Sequence, residues 1–406
     1  MRKADAIISS NLEKNSSVHS VPVRCAFVIH PLTATQLWIH PLLKWVKKLP
    51  KFVRNVFEFL VSRMPAHRYA ELVGVKSDYN HRTVTCDLIL MPATPKQLLK
   101  MNERFLYRQL IKCAHLSLKF GSKIMGLGAY TKVAGDGGVT VTDHSPIPVT
   151  TGNSLSAAST LWSADEALIL VRPDLKKNSH GVLSIRVMVI GATGSIGRVT
   201  ALLLSEYVSE LVLVSRRMDK LEELRSEILE FSPKCKISIA TEVGSILSHT
   251  DLIVTATSNY GKKLFDVNGL KPGSIVCDCS RPMDFTKEEA ESRPDVLFIE
   301  SGEVSLPGKP KFTKKLDISN THIYACLAET LILTLENRFE SFSYSRFLLP
   351  ERVKEISAIA IKHGAGLAPL RGPLGPVTQE QINRVKVENL KVNRGNNYEK
   401  NVEVVF

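Results

Sequence analysis

The chain has 406 residues, of which 44% are hydrophobic and 23% are charged. This is enough apolar material for two or three globular units, and it excludes an intrinsically disordered protein. A formal net charge of +13 favours polyanionic partners: nucleic acid, an anionic membrane surface or an acidic protein. No apolar run approaches the roughly 20 residues that span a bilayer, and the polar first residues do not resemble a secretory signal. We therefore expect a cytoplasmic protein that could also lie at the periphery of a membrane.

Composition and periodicity divide the chain into five regions. A loose leader is expected over residues 1–20, followed by an irregular α/β substrate-binding domain over residues 21–180, where short apolar runs alternate with helical patterns. Residues 181–315 show a cleaner alternation of strands and helices. Two helical segments within residues 316–371 should pack back on the rest, and residues 372–406 form a polar tail rich in Asn and Lys.

The central region carries six apolar stretches of strand length. They are IRVMVI, ELVLVS, KISIA, DLIVTAT, SIVCDCS and DVLFIE, and helical patterns or turns separate them. This alternation predicts a doubly wound parallel sheet of the Rossmann type, an architecture that binds dinucleotides.

A glycine-rich turn follows the first of these strands. Gly191, Gly194 and Gly197 stand where the strand should turn into a helix. Glycines there let the backbone turn tightly, approach a pyrophosphate and pack the helix against the sheet, while the helix N-terminus faces the phosphate charge. The predicted cofactor-binding loop comprises Gly191, Ala192, Thr193, Gly194, Ser195, Ile196 and Gly197.

The end of the second strand indicates which dinucleotide is bound. Ser215, Arg216 and Arg217 stand where an acidic residue would bind the ribose 2′-hydroxyl of NAD. Ser and Arg can instead bind and neutralise a 2′-phosphate, so NADPH is the predicted cofactor, although a solvated basic turn would have the same sequence. Thr257 and Ser258 close a later strand near the expected nicotinamide ribose, and such small residues would equally suit any strand terminus.

The seven cysteines are scattered, with no paired CxxC units of the zinc type, which argues for reduced thiols rather than a disulfide framework. Cys277 and Cys279 lie close together, but the apolar residues before them indicate a buried strand end. We therefore predict no metal site.

Six short motifs, in this order and approximate spacing, resemble a known enzyme family. They are GLGAYTKV (126–133), TTGNSLSAA (150–158), GATGSIG (191–197), YACLAETLIL (324–333), FSYSR (342–346) and IKHGAG (361–366). Together they resemble the long-chain acyl-(acyl-carrier-protein) reductases known best from cyanobacteria, over roughly residues 25–370. The resemblance implies reduction of a fatty acyl thioester, carried by acyl carrier protein or coenzyme A, to a fatty aldehyde with NADPH. It also implies an aldehyde-consuming partner enzyme.

The resemblance further implies that Cys326, in YACLAE, is the nucleophile that holds the acyl group. From the residues alone, a cysteine between Ala325 and Leu327 is more typical of an inert core thiol. We expect Cys326 a little inside a helix that begins near Ser319 to Thr321. At that depth the helix dipole would help a thiolate only modestly, so another activating group is needed.

Other polar residues of these motifs are candidates for helping the reaction. One set reads as the N-cap and first turn of a helix, whose N–H groups could bind substrate or an oxyanion, or could serve as a plain cap: Thr151, Gly152, Asn153 and Ser154. Glu329, on the same helical face as Cys326, could relay a proton or be a salt-bridged surface residue. His363 could do the same or could cap a helix C-terminus.

Residues 41–63 form a basic stretch studded with aromatic side chains, which we do not associate with the cyanobacterial members. Its basic residues are Lys44, Lys47, Lys48, Lys51, Arg54 and Arg63, interleaved with Trp45, Leu49, Phe52, Phe57 and Leu60. Such a stretch could lie on an anionic membrane or receive an acidic carrier protein, and it could equally be a solvated helix that covers the first domain. Nucleic acid ranks lower, because no recognised binding motif accompanies the charge.

Two other functions stay open at this point. One is an NADP-dependent reductase in the style of shikimate dehydrogenase or glutamyl-tRNA reductase, which also couple a substrate domain to a Rossmann unit. The other is a protein that senses NADPH without catalysis.

Overall fold

A computed structural model describes residues 21–38, 41–133, 135–179, 181–258, 263–316 and 318–402. Residues 1–20, the expected leader, lie outside the described residues.

The strands are β1 Val23–Ile29, β2 His67–Lys76, β3 Thr83–Leu90, β4 Met125–Leu127, β5 Val149–Thr150, β6 Leu183–Ile190, β7 Val208–Val214, β8 Lys236–Ala240, β9 Leu252–Thr255, β10 Ile275–Asp278, β11 Leu297–Glu300, β12 Glu303–Ser305, β13 Gly308–Phe312, β14 His322–Tyr324, β15 Gly366–Leu367, β16 Arg371–Gly372 and β17 Gly375–Pro376. The α-helices are α1 Ala34–Leu37, α2 Lys51–Val61, α3 Pro95–Lys100, α4 Glu103–Lys119, α5 Tyr130–Val133, α6 Val139–His144, α7 Asn153–Val171, α8 Ser195–Ser205, α9 Met218–Phe231, α10 Lys287–Ser292, α11 Ala325–Leu335, α12 Pro350–Lys362 and α13 Gln379–Val402. Three 3₁₀ helices span Pro41–Lys48, Gly244–His249 and Val267–Gly269.

The first sheet belongs to the substrate-binding domain and has the strand order β13-β2-β3-β1-β4-β5. Strands β3, β1, β4 and β5 are parallel, whereas β2 and β13 run antiparallel to their neighbours. The edge strand β13 comes from beyond the six Rossmann strands, because Leu72 of β2 pairs with Phe312. The first domain therefore takes one strand from a segment that the sequence assigned to the Rossmann region.

The second sheet has the order β17-β16-β11-β10-β9-β6-β7-β8, and its six strands from β11 to β8 are parallel. Those six are the six predicted stretches, and their order reverses between β6 and β9. The predicted doubly wound parallel sheet is confirmed. Its inner strands β6, β7 and β9 are buried over most of their length, which is why they appear in the sequence as nearly continuous apolar runs.

Helix α7 is the central connection between the two sheets. Thirteen of its 19 residues are buried, and many of these are Ser or Ala. Small side chains on all sides let it pack closely against α8, α11 and α12 together. The apolar residues of α11 and α12 join this core, so the expectation that the C-terminal helices pack back on the rest is confirmed.

Two segments differ from expectation. The region expected to be a polar tail contains α13, which packs against α7 and β11 and buries Val385 and Asn389. Helix α11 begins at Ala325 rather than near Ser319 to Thr321, so the predicted start is wrong. The reason is that residues just before it, His322–Tyr324, pair with β12 as a strand. Within the described part of the chain, no helix combines the length and apolarity that a membrane span requires.

Candidate functional site

A cavity of about 2080 Å³ lies between the two sheets. It is larger than the roughly 300–1,000 Å³ typical of a pocket for one small ligand, so it has room for a cofactor together with a substrate. One part is bordered by the carboxyl ends of the Rossmann strands, and the other by β1, β3 and the start of α11. This is the edge of an open parallel sheet at which ligands bind.

The glycine-rich loop lies in the first part of the cavity, between β6 and α8. Gly191 has φ +83°, and a Cβ there would lie 2.5 Å from the carbonyl oxygen of Ala256. A Cβ at Gly197 would meet the backbone of Gly191, so α8 can approach the loop only because this position is glycine. Gly191, Thr193, Gly194, Ser195 and Ile196 line the cavity, whereas Ala192 and Gly197 support the turn from behind. The geometry is that of a dinucleotide-binding loop.

The residues predicted to choose the dinucleotide line the same part of the cavity. The hydroxyl oxygens of Ser215 and Thr193 are 2.7 Å apart, which ties the end of β7 to the glycine-rich loop. Arg216 and Arg217 follow directly, and no acidic side chain stands at the end of β7. Thr257 and Ser258 line the cavity at the end of β9.

Cys326 lines the same cavity as the glycine-rich loop and is partly exposed. It is the second residue of α11, whose N-cap is Tyr324. The first-turn N–H groups of a helix lack partners within the helix and carry the positive end of its dipole. Because the helix begins at Ala325, the sulfur lies in its first turn, where the dipole favours a negative charge. A helix that began near Ser319 to Thr321 would have placed the sulfur deeper, where this effect is weaker.

A close backbone contact fixes the position of Cys326. Gly152, the N-cap of α7, has φ +69° and packs directly on α11. A Cβ at Gly152 would lie 2.6 Å from the Cβ and the carbonyl oxygen of Cys326, and closer still to its Cα. The beginnings of α7 and α11 thus meet at a point that only glycine can occupy without a shift.

The four predicted substrate-binding residues have different surroundings. Asn153 lines the cavity, its Nδ2 is 3.5 Å from the hydroxyl of Ser195, and its buried Oδ1 has no partner among the described residues. Thr151 and Ser154 are buried, and they bind the loop that contains Ser343. Gly152 is the N-cap of α7, so the helix start predicted for these residues is confirmed.

Glu329 is fully buried behind Cys326 and does not line the cavity. Its carboxylate accepts hydrogen bonds from Thr150 Oγ1 at 2.5 Å and from the backbone N–H of Leu155 at 2.9 Å. It therefore holds the beginning of α7 against α11, and it stands close to the nucleophile without facing the substrate space.

His363 lies apart from the cavity at the C-terminus of α12. It is fully buried, with Nδ1 2.7 Å from Ser77 Oγ and Nε2 2.6 Å from Glu336 Oε2. Burial lowers the pKa of His363, and the hydrogen bond to Glu336 opposes that effect. The structure does not bring this histidine together with Cys326.

The second part of the cavity has an apolar wall. Phe27 pairs with Leu88 and Ile29 pairs with Leu90 across β1 and β3, and all four side chains line the cavity. Leu316 and Ile318 line it as well. Cys326 packs against the hydrophobic cluster that contains Phe27 and Leu88, and the wall can accept an alkyl chain.

The loop after β10 holds site residues that the sequence reasoning missed. Arg281 lines the cavity, its guanidinium carbon is 5.7 Å from the ring centroid of Tyr324, and its Nη2 donates to Ser301 O at 2.7 Å. Asp278 holds this loop, because its carboxylate accepts from Ser280 N at 2.8 Å and from Asp284 N at 2.7 Å. Burial and the Asp284 carboxylate raise the pKa of Asp278 to about 6. The available signal was a run of polar residues directly after a buried strand.

No protein-family model matches the chain. Over 316 residues it is 29% identical to the aminotransferase PigE of Serratia sp. (strain ATCC 39006), a match that covers 76% of this chain and 35% of PigE. Over 90 residues it is 36% identical to the uncharacterized oxidoreductase Lmo0432 of Listeria monocytogenes, covering 22% of this chain and 36% of that protein. This chain thus matches about a third of the length of both curated relatives.

Similar solved structures include a quinate dehydrogenase from Corynebacterium glutamicum in complex with NAD, with a TM-score of 0.37 and 10% identity over 84% of this chain and 99% of that one. The ligand-free 5-ketofructose reductase of a Gluconobacter strain has a TM-score of 0.36 and 11% identity over the same shares of the two chains, 84% and 99%. Likenesses at this level carry no information on substrate.

Proposed function

We propose that this chain is an NADPH-dependent reductase that takes a long-chain acyl group from a carrier thioester onto Cys326 and releases it as an aldehyde. One observation carries the proposal: Cys326, at the first turn of α11, lines the same cavity as the glycine-rich loop. The reductase class also finds support in the match to a protein named as an oxidoreductase. The name aminotransferase is not carried over, because the match covers 35% of that protein.

The exposure of the thiols supports Cys326 as the nucleophile. Five of the seven cysteines are buried, and burial raises the pKa of the Cys113 thiol to about 12 and that of Cys277 still further. Only Cys279 and Cys326 are partly exposed, and both line the cavity. Cys279 follows a strand, whereas Cys326 has the N-terminal helix dipole beside it.

The residues present fit NADPH. A Cβ at Gly191 would collide with the backbone of Ala256, and one at Gly197 with the backbone of Gly191, so the tight turn that faces the pyrophosphate in such loops forms here only with glycine. Arg216 and Arg217 stand where they would neutralise a 2′-phosphate. When bound, the cofactor would supply a hydride to the carbonyl carbon held beside it.

The protein's own residues would carry the remaining steps. The Cys326 sulfur attacks the acyl carbonyl, the carrier thiol leaves with the proton, and one thioester replaces another. A hemithioacetal oxyanion on Cys326 would accept hydrogen bonds from first-turn N–H groups of α11 and from Asn153 Nδ2. Collapse of this species would break the carbon–sulfur bond, free the aldehyde and return the thiolate, which would take up a proton from solvent in place of the one that left with the carrier.

The apolar wall supports a long-chain substrate. An acyl group on Cys326 would extend along Phe27, Ile29, Leu88 and Leu90, where each buried CH₂ contributes about 0.8 kcal/mol. Longer thioesters should therefore react at lower concentrations than acetyl thioesters.

The test is to incubate the protein with a palmitoyl or stearoyl thioester, on acyl carrier protein and on coenzyme A, with and without NADPH. Without NADPH we expect the intact mass to rise by one acyl group, and with NADPH we expect aldehyde. Cys326→Ala should abolish both, while the matched variant Cys279→Ala should keep them. Unmodified protein and no aldehyde with either carrier would refute the proposal.

A second candidate is an NADP-dependent reductase that acts on a free carbonyl without a covalent intermediate. It is favoured by the polar groups that line the cavity besides Cys326, namely Asn153, Arg281, Ser301 and Lys315, which suit a small hydroxylated substrate. Such an enzyme would oxidise NADPH with a ketone substrate, would gain no acyl mass, and would keep its activity in Cys326→Ala.

A further inference from the structure

A small helical module projects from the substrate-binding domain. It comprises α1, the 3₁₀ helix Pro41–Lys48 and α2, with the loop that follows α2 as far as residue 64. Its core is its own: Leu37, Trp38, Val46 and Val61 form a buried cluster separate from the cores of the two sheets. The chain enters the module directly from His30, Pro31 and Leu32, which line the cavity. The module therefore begins at the rim of the cavity.

Helix α2 turns its apolar side outward. Phe52, Val56, Phe59 and Leu60 follow the spacing of one helical face, and each is between 46% and 72% exposed. The opposite face buries Val61 and Glu58. A surface helix ordinarily turns its apolar stripe toward the core, so this face is available to another surface.

The orientation of α2 is fixed. Glu58 accepts a hydrogen bond from Thr94 Oγ1 at the start of α3, which holds the inner face of the helix against the domain. On the outer face, the guanidinium of Arg63 lies 3.4 Å from the ring centroid of Phe59. Trp45 of the 3₁₀ helix is half-exposed and packs edge-on against Phe57, with ring centroids 5.1 Å apart.

The charges around this face have one sign. Residues 41–64 contain six basic residues and one acidic residue, and that acidic residue is the buried Glu58. Lys44, Lys47, Lys48 and Lys51 are exposed beside the apolar face. The surface thus combines exposed aromatic and aliphatic side chains with a purely positive border.

We infer that this module docks on an anionic phospholipid surface. An amphipathic element with Phe, Trp and Leu on one side and Lys or Arg beside them lies in the headgroup region, where its apolar side chains reach the acyl chains. Anionic headgroups complement the lysines, and each basic residue near such a surface contributes about fivefold in affinity. Docking would bring the cavity rim at Leu32 to the membrane, from which long-chain substrates and products partition.

The same charges argue against a second copy of the chain as the occupant, because two such faces would repel each other. An acidic carrier protein would complement the lysines, but four large apolar side chains on successive turns match the lipid interface better. The inference concerns a surface outside the cavity and holds whether or not Cys326 is acylated.

The test is co-sedimentation of the full chain with vesicles of phosphatidylcholine, with and without phosphatidylserine, at low and high salt. We expect binding to the anionic vesicles that weakens with salt, and little binding to the neutral ones. Phe52→Ser combined with Phe59→Ser should weaken binding at least tenfold. Lys47→Gln combined with Lys48→Gln should weaken it on the order of 25-fold.

Ile361→Ser is the matched control, because Ile361 is 63% exposed on α12 and belongs neither to the module nor to the cavity. It should bind vesicles like the unchanged protein, and circular dichroism should show all variants folded. The inference is overturned by equal loss in the control, by absence of binding to anionic vesicles, or by binding to an acidic carrier protein alone that the same substitutions abolish.

Discussion

Replacing Gly152 with alanine tests the contact that positions the nucleophile. The new methyl group would press on the backbone of Cys326, and the residue would have to keep φ +69°. Left-handed backbone costs an L-residue about 1–2 kcal/mol, and overpacking of a close contact costs about 1–3 kcal/mol. The free energy of unfolding should therefore fall by about 2–5 kcal/mol, a large part of the stability of a typical domain.

Gly181→Ala separates these two costs. Gly181 has φ +79° with nothing within 4 Å of the added Cβ, so only the backbone cost applies. In urea unfolding followed by circular dichroism, the free energy of unfolding of Gly152→Ala should be about 1–3 kcal/mol lower than that of Gly181→Ala. Acyl capture should fall on the order of a hundredfold in Gly152→Ala alone, because the sulfur is displaced. Equal stability and equal capture in the two variants would refute the tight contact between α7 and α11.

Two more outcomes can be measured. Arg216→Ala combined with Arg217→Ala should raise the Kd for NADPH at least tenfold, because the loss of one charged hydrogen bond costs about 1.5 kcal/mol. The Kd for NADH should stay nearly unchanged. An equal change in both Kd values would exclude a contact with the 2′-phosphate. Burial and the Asp284 carboxylate raise the pKa of Asp278 to about 6, whereas an unfolded aspartate titrates near 3.9, so the folded state binds the proton more tightly. The free energy of unfolding should therefore fall by about 2 kcal/mol as the pH rises from about 4 to about 6. Urea unfolding across that range should show this slope in the unchanged protein and lose it in Asp278→Asn; a slope that persists in the variant would assign the effect to another group.

The Rossmann strands and the glycine-rich loop could be predicted because their signals are local. Each buried parallel strand is an apolar run of its own, and Gly191 follows β6 directly. The start of α11 could not be predicted from local signals. Ser319 and Thr321 look like helix caps, yet His322–Tyr324 pairs with β12, and that pairing depends on distant residues.

The same distinction applies to the candidate site. The motif around Gly152 predicted a helix start, and α7 begins there, but nothing local shows that Cys326 packs on it. Glu329 was predicted from its place on the helical face of Cys326, and His363 from the motif IKHGAG. The burial and the partners of both residues come from tertiary packing. This packing places Glu329 behind Cys326, and it places His363 beside Glu336, away from the cavity.

The pairing of β13 with β2 joins two distant parts of the chain, and this affects folding during synthesis. Glu71 and Thr313, which are hydrogen-bonded at this edge, stand 242 positions apart in the chain. The N-terminal sheet therefore cannot be completed on the ribosome until most of the polypeptide has emerged, and loop closure over such a span slows folding. A fragment that ends at residue 180 would expose the unpaired edge of β2 and should aggregate.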